Sequence, residues 1–217
     1  MKAKTYRLID LIFNIVIFLT TAWAVVYYFY SDPDILGSTR TACFRYFTTD
    51  SNVLEAVAAA VVCVVRVLQL KSPDRKMPAW VTVLRFTGTA AVALTLLTVV
   101  FFLAPVSCIS SGIGTVPFYF AGNVFVLHLS TPVLAILSLI LFDREGEITR
   151  LRSLWALLPT VVYSVVYLVL VVFVKVWYDW YGFTFGGKFY LAPAALIVMY
   201  AVTYGIAFIL RKLRQTN

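Results

Sequence analysis

Residues 46–70 read YFTTDSNVLEAVAAAVVCVVRVLQL. After a polar opening, the run from Val53 to Leu70 is apolar except for Glu55, Arg66 and Gln69. At a rise of 1.5 Å per residue, about 20 such residues cross a hydrocarbon core about 30 Å thick. The segment therefore predicts a membrane-spanning helix. Five more stretches have the same character, giving expected spans at about 8–30, 46–70, 79–103, 118–142, 154–178 and 190–210.

Composition agrees. Of 217 residues, 62% are hydrophobic and 13% are charged, about half the charge of an ordinary soluble domain. Mean hydropathy is +0.91. A soluble protein this apolar would expose large greasy patches, and a disordered one would need the opposite composition. The expected fold class is all-α: one polytopic six-helix bundle with short connections and no internal repeat. A cleaved leader is not expected: the first apolar run is too long, and it carries Asp10 and Asn14.

The net charge of +8 does not indicate nucleic acid, because the basic residues form short clusters between apolar runs, with no basic stripe. They read as topology signals. Lys2, Lys4, Arg7, Lys71, Arg75, Lys76, Arg144, Arg150, Arg152, Arg211, Lys212 and Arg214 fall on one side; Arg40, Arg45, Lys175 and Lys188 fall on the other. The positive-inside rule then puts both termini in the cytoplasm. Aromatic clusters at 27–30 and 177–181 suit the opposite interface. Cys43 and Cys108 would share that outer side, where they could bridge or stay reduced; Cys63 reads as packing. Three cysteines and one histidine do not supply the usual zinc ligand sets, and no cofactor is expected.

Polar groups inside a span cost roughly 2.5–3.5 kcal/mol at mid-bilayer. Near the cytoplasmic side stand Asp10, Arg66 and Arg85, for which the structural reading is an ion pair of Asp10 with one or both arginines. Near the outer side, Thr48, Ser51, Asn52 and Glu55 share one helix face that continues through Ala59, Val62 and Arg66; Thr49 lies off that stripe. The fourth span carries Asn123 and the single histidine, His128. Pro132 has no N–H and displaces the carbonyl four residues earlier, which is that of His128, so a kink is expected there. Pro159 should likewise free the carbonyl of Trp155, and Tyr163 and Tyr167 share a face on the fifth span. His128 reads either as an interhelical hydrogen-bond partner or as a general base. In the second case the best-placed hydroxyl is Thr48; Ser110 and Ser111, read as an exposed loop, lack an elbow motif. Asn52 and Asn123 are the oxyanion candidates, and Glu55 is the nearest carboxylate.

Three elements together resemble a known family: Tyr46-Phe47-Thr48-x-x-Ser51-Asn52, His128-x-x-x-Pro132, and Pro159-x-x-x-Tyr163-x-x-x-Tyr167 followed by Trp177-Tyr178. The family is that of the six-span androgen-induced and androgen-dependent TFPI-regulating membrane proteins and their small bacterial relatives. Its animal members are threonine hydrolases of fatty acid esters of hydroxy fatty acids. The resemblance implies that Thr48 attacks the ester carbonyl and that His128 takes its proton. Ser51, Asn52, Glu55, Asn123, Tyr163 and Tyr167 would then line the substrate site. The expected partners are membrane lipids and a lipid-like substrate, and the expected location is a bacterial cell membrane. The competing expectation is a non-enzymatic six-span protein, a small transporter or a lipid-binding subunit, that uses the same polar cavity.

Overall fold

The computed structural model describes residues 3–30, 40–111, 125–143 and 145–216; for Ser107, Ser110 and Ser111 it gives the backbone alone. Among the described residues, six helical rods follow one another: α1 (Ala3–Tyr30), α2 (Phe47–Lys71), α3 (Ala79–Val106, continuing to Ser111), α4 (Val126–Leu141), α5 (Arg150–Phe173) and α6 (Phe189–Thr216). All but α4 are, within the described residues, long and apolar enough to cross a membrane. This is a helical membrane protein, with no strand among the described residues. Residues 118–124 of the expected fourth span, Asn123 included, lie outside the described residues.

Several expected boundaries move. Ser110 and Ser111 close the last turn of α3 rather than sitting in a loop. The fifth rod ends at Phe173, so Trp177 and Tyr178 belong to the following link. Lys175 there takes the left-handed backbone conformation, at φ 59°, which ends a helix. The sixth rod runs on to Thr216, because Arg211 is buried on the bundle and Arg214 ties into a neighbouring link.

Helix α3 is the hub. Half of its apolar window (50%) is buried, against 22% for α5 and α6. Its sequence explains this, since Thr87, Gly88, Thr89, Ala90, Ala91 and Ala93 are small and let neighbouring backbones approach. Phe86, Ala90 and Leu94 pack with Leu139 of α4, Ala156 of α5, and Ile206 and Leu210 of α6.

Two helices carry a π turn ahead of a proline: Val99–Leu103 before Pro105, and Val126–Ser130 before Pro132. In each, the residue preceding the proline donates its N–H five residues back, Ala104 to Val99 and Thr131 to Val126. A wider turn makes room for the ring that would otherwise strike the carbonyl four residues earlier. The kink expected at His128 therefore takes the form of a π turn. Ahead of Pro159, α5 tightens instead into a 3-10 turn over Leu154–Leu157.

The ends of α1 and α6 meet at the link after α4, and a buried charge cluster holds them there. Asp10 is wholly buried. It accepts from Arg66 Nε at 2.6 Å, from Arg85 Nη2 at 2.5 Å and Nη1 at 3.0 Å, and from Ser138 Oγ at 3.0 Å. Both arginines anticipated for it are thus engaged. Asp143 adds a second carboxylate, 3.4 Å from Arg66, 3.6 Å from Arg85 and 3.3 Å from Arg214. Glu145 accepts from Arg7 Nε at 2.7 Å and from Gln69. Arg214 donates to the carbonyls of Glu145 and Gly146 at 2.6 and 2.8 Å. Gly146 sits at φ 76°, and a Cβ there would lie 2.5 Å from Thr82 Oγ1, so the link can approach α3 only as glycine.

Removing one partner of a buried ion pair leaves the other charge stranded, at a cost of about 3–5 kcal/mol. Asp10→Ala should therefore sharply lower the unfolding temperature in detergent. Adding Arg66→Met and Arg85→Met to it should recover part of that loss, since a well-packed apolar replacement is often close to neutral.

Candidate functional site

At the opposite end of the bundle, α2 begins after extended Tyr46, whose carbonyl accepts from the N–H groups of Thr49 and Asp50 at 3.0 and 3.2 Å. The first turns then carry the polar stripe. Ser51 donates to the carbonyl of Thr48 at 3.0 Å and pairs with Thr95 of α3 at 3.0 Å. Asn52 is fully buried, and its Nδ2 donates both to the carbonyl of Thr48 at 2.8 Å and to that of Leu127 at 2.9 Å. Both amide hydrogens are thereby committed to backbone carbonyls. Asn52 acts here as a brace between α2 and α4 rather than as a free donor for an oxyanion. Its Oδ1 is buried with no hydrogen-bond partner among the described residues.

His128 follows Leu127 directly, at the centre of the π turn, and is half-buried. One turn on, Thr131 pairs its hydroxyl with Thr21 of α1 at 2.8 Å. Thr48 is half-buried and faces a small chamber of about 80 Å³ that Thr95, Thr98, Thr160, Tyr181 and Phe183 also line. Among the described residues its hydroxyl has no hydrogen-bond partner. The hydroxyl of Thr160, on the same chamber, is buried and also unpartnered among the described residues. Thr49, off the stripe, is nevertheless fully buried, because α2 buries a broad face against both α1 and α3.

Glu55 is 2% exposed and packs against Gly88, where an added Cβ would fall 2.5 Å from its Oε2 and 3.2 Å from its Cα. Its polar contact among the described residues is the Thr89 hydroxyl at 3.5 Å, at the limit of a hydrogen bond. Cys43, Cys63 and Cys108 are free thiols. Burial pushes the Cys43 thiol above its usual range.

Tyr167 turns to the link beyond α5, whereas Tyr163 packs on Phe47 of α2 and lines the Thr48 chamber. Tyr163 donates to the carbonyl of Arg45 at 2.6 Å. Tyr167 donates to Asp179 at 2.7 Å and accepts from the N–H of Tyr181 at 3.1 Å. Trp177, Trp180, Tyr181 and Phe183 ring Tyr167 at centroid distances of 5.3–6.2 Å. The link is thus an aromatic cap, and through Tyr181 and Phe183 it roofs the Thr48 chamber. Burial holds the Tyr181 hydroxyl up at about 12.

Asp179 pins that cap. It accepts from the N–H groups of Phe183 and Thr184 and from the Thr184 hydroxyl, at 2.9, 2.7 and 2.5 Å. Burial pushes its carboxyl up, but donors from Thr184, Tyr167 and Phe183 outweigh this and hold it below its ordinary 3.8. Sequence reasoning missed Asp179 and the chamber threonines. The available signal was Asp179-x-x-Gly182 inside an aromatic run, a turn pattern.

Among the described residues, no group of three His, Cys, Asp or Glu lies close enough to hold a metal ion. No family model matches the chain, and no characterised protein or solved structure is similar enough to lend it an assignment.

A carboxylate whose folded value is lowered contributes stability above its ordinary value, and loses that contribution as the pH falls through the lowered one. Cap docking, read from the fluorescence of Trp177 and Trp180, should therefore persist at pH 4 to 5 and be lost only at more acid pH. Asp179→Asn should loosen the cap at neutral pH by about 1 kcal/mol, after discounting for partial exposure, and flatten that acid transition.

Proposed function

We propose that the protein is an intramembrane hydrolase of lipid-like carboxylic esters, with Thr48 as nucleophile and His128 as base. In this reading six spans cross a bacterial cell membrane, with both termini cytoplasmic. The observation that carries it is the Asn52 amide. One buried side chain donates to the carbonyl of Thr48 at 2.8 Å and to that of Leu127 at 2.9 Å. The turn bearing Thr48 is thereby held against the π turn bearing His128, and π turns recur at functional sites.

The chemistry follows from these groups. The Thr48 hydroxyl adds to the ester carbonyl carbon while His128 takes its proton. The imidazolium returns that proton to the departing alkoxide, leaving a threonyl ester. Water then adds to this ester as His128 again accepts a proton; the acid leaves and Thr48 regains its hydrogen. The wall of the chamber beside Thr48 is mostly apolar, but the Thr98 and Thr160 hydroxyls in it give that water partners.

A second reading is favoured by Glu55, a carboxyl buried at depth in α2 whose one polar contact among the described residues is long. Buried ionisable groups in spans mark proton or ion paths. In this reading Glu55 and His128 serve a small transporter.

Thr48→Ala and His128→Ala should each slow turnover of a long-chain ester by at least about 100-fold. A hydroxyl-directed phosphonate should label Thr48 in the wild type. Wild-type turnover in both variants would sink the mechanism. Proton-coupled flux into proteoliposomes without ester turnover would select the transporter.

A further inference from the structure

Between α5 and the α2–α3 pair lies a cleft of about 930 Å³, open at the protein surface. We propose that this cleft holds one acyl chain of a neutral, hydroxyl-bearing lipid of monoacylglycerol type, with the hydroxyl donating to Asp50. The proposal rests on the hydrolase reading in that it names the substrate class.

Three observations support it. First, the α5 wall is a single face: Trp155, Leu158, Pro159, Val162, Tyr163 and Val166 recur at helical spacing. From Trp155 to Val166 is about 16 Å at 1.5 Å per residue, about half of a 30 Å hydrocarbon core. That is the depth of one leaflet, hence of one extended chain. Trp80 and Trp155, in the first turns of α3 and α5, stand at one end of the cleft, as residues of one interface do.

Second, among the described residues Asp50 is the one charged side chain lining the cleft. It lies in the first turn of α2, and among the described residues no basic side chain pairs with it. A lipid carboxylate or phosphate placed there would meet a like charge, whereas a hydroxyl would meet an acceptor. The charge thus selects a neutral headgroup.

Third, the cleft adjoins the Thr48 chamber. Phe47 and Tyr163 line both spaces and meet edge to face, with centroids 5.3 Å apart. Asp50 and Thr48 share the first turn of α2 but face different sides of it, so an ester held at Asp50 meets the nucleophile only past the Phe47–Tyr163 partition.

The test is photo-crosslinking of the full-length protein in phosphatidylcholine vesicles. One probe is a monoacylglycerol with a diazirine in its tail, the other a free fatty acid with the same tail. The neutral probe should label peptides 155–166 and 80–87 about tenfold more than the acid does, a difference of about 1.4 kcal/mol. Val162→Trp substitutes an exposed position and should fold. It should cut that labelling about tenfold. Asp50→Asn should erase the preference between the probes, and Asp50→Lys should invert it.

Equal labelling by both probes in Thr48→Ala, which cannot convert the neutral probe into the acid, would overturn the proposal, as would labelling spread evenly onto the faces of Trp23 and Phe208. So would a Val162→Cys variant that crosslinks copy to copy while the neutral probe leaves the cleft unlabelled, since a second copy would then be the occupant. Thr48→Ala should leave the labelling pattern unchanged. Selective labelling without any Thr48 phosphonate adduct sustains the lipid site and removes the hydrolase. A Thr48 adduct without selective labelling does the reverse.

Discussion

Asp10, held between Arg66 and Arg85, is the interaction on which the rest of the bundle depends. Each of these groups would be prohibitive alone in an apolar interior. Together with Asp143 they neutralise one another, and their remaining hydrogen-bonding capacity goes to Ser138, Asn14 and Gln69. The cluster ties α1, α2, α3 and α4 to one another and to the link that α6 also grips. Hydrocarbon offers no hydrophobic preference between one helix rotation and another, so packing and polar contacts must set it. A directional ion cluster does so for four helices at once.

That constraint reaches the other end of the molecule. Thr48 and Arg66 are eighteen residues apart on one helix, five turns at 3.6 residues per turn. They therefore face the same way. When Asp10 fixes the rotation of Arg66, it also fixes the rotation of Thr48, Ser51 and Asn52. The π turns add the second adjustment. The one before Pro132 widens α4 just where Leu127 must offer its carbonyl to Asn52 and where His128 stands. Neither end of the molecule can be understood without the other.

The far end is built differently. Its cap is held by Asp179 and Tyr167, which satisfy backbone groups of the link, while Tyr163 packs against Tyr181 and donates to the carbonyl of Arg45 ahead of α2. The tyrosines face neighbours that lie distant in the chain, Arg45 in one case and Asp179 with Tyr181 in the other. Helical spacing predicted that Tyr163 and Tyr167 share a face, which they do. It could not predict which neighbour that face meets, because α5 packs loosely and leaves a cleft beside it.

Much of this was legible beforehand. Apolar length announced the membrane helices, the mean cost of charge in lipid singled out Asp10, Arg66 and Arg85 as partners, and Pro132 marked the distortion at His128. These readings succeed because a 20-residue apolar run, a charge in hydrocarbon and a missing N–H each have one local consequence whatever surrounds them. What only the tertiary structure decided depends on residues brought together from afar. Asp143 and Glu145 lie in a polar link and look solvated in one dimension, yet they close the ion cluster. Asn52 had amide hydrogens to offer, and only the approach of α4 shows them spent on two carbonyls. Thr160 and Thr98 are unremarkable in sequence, and they become a chamber wall because α3, α5 and the cap converge on Thr48. Sequence fixes what each group costs and what it can donate or accept; the packing of the helices decides which partner it meets.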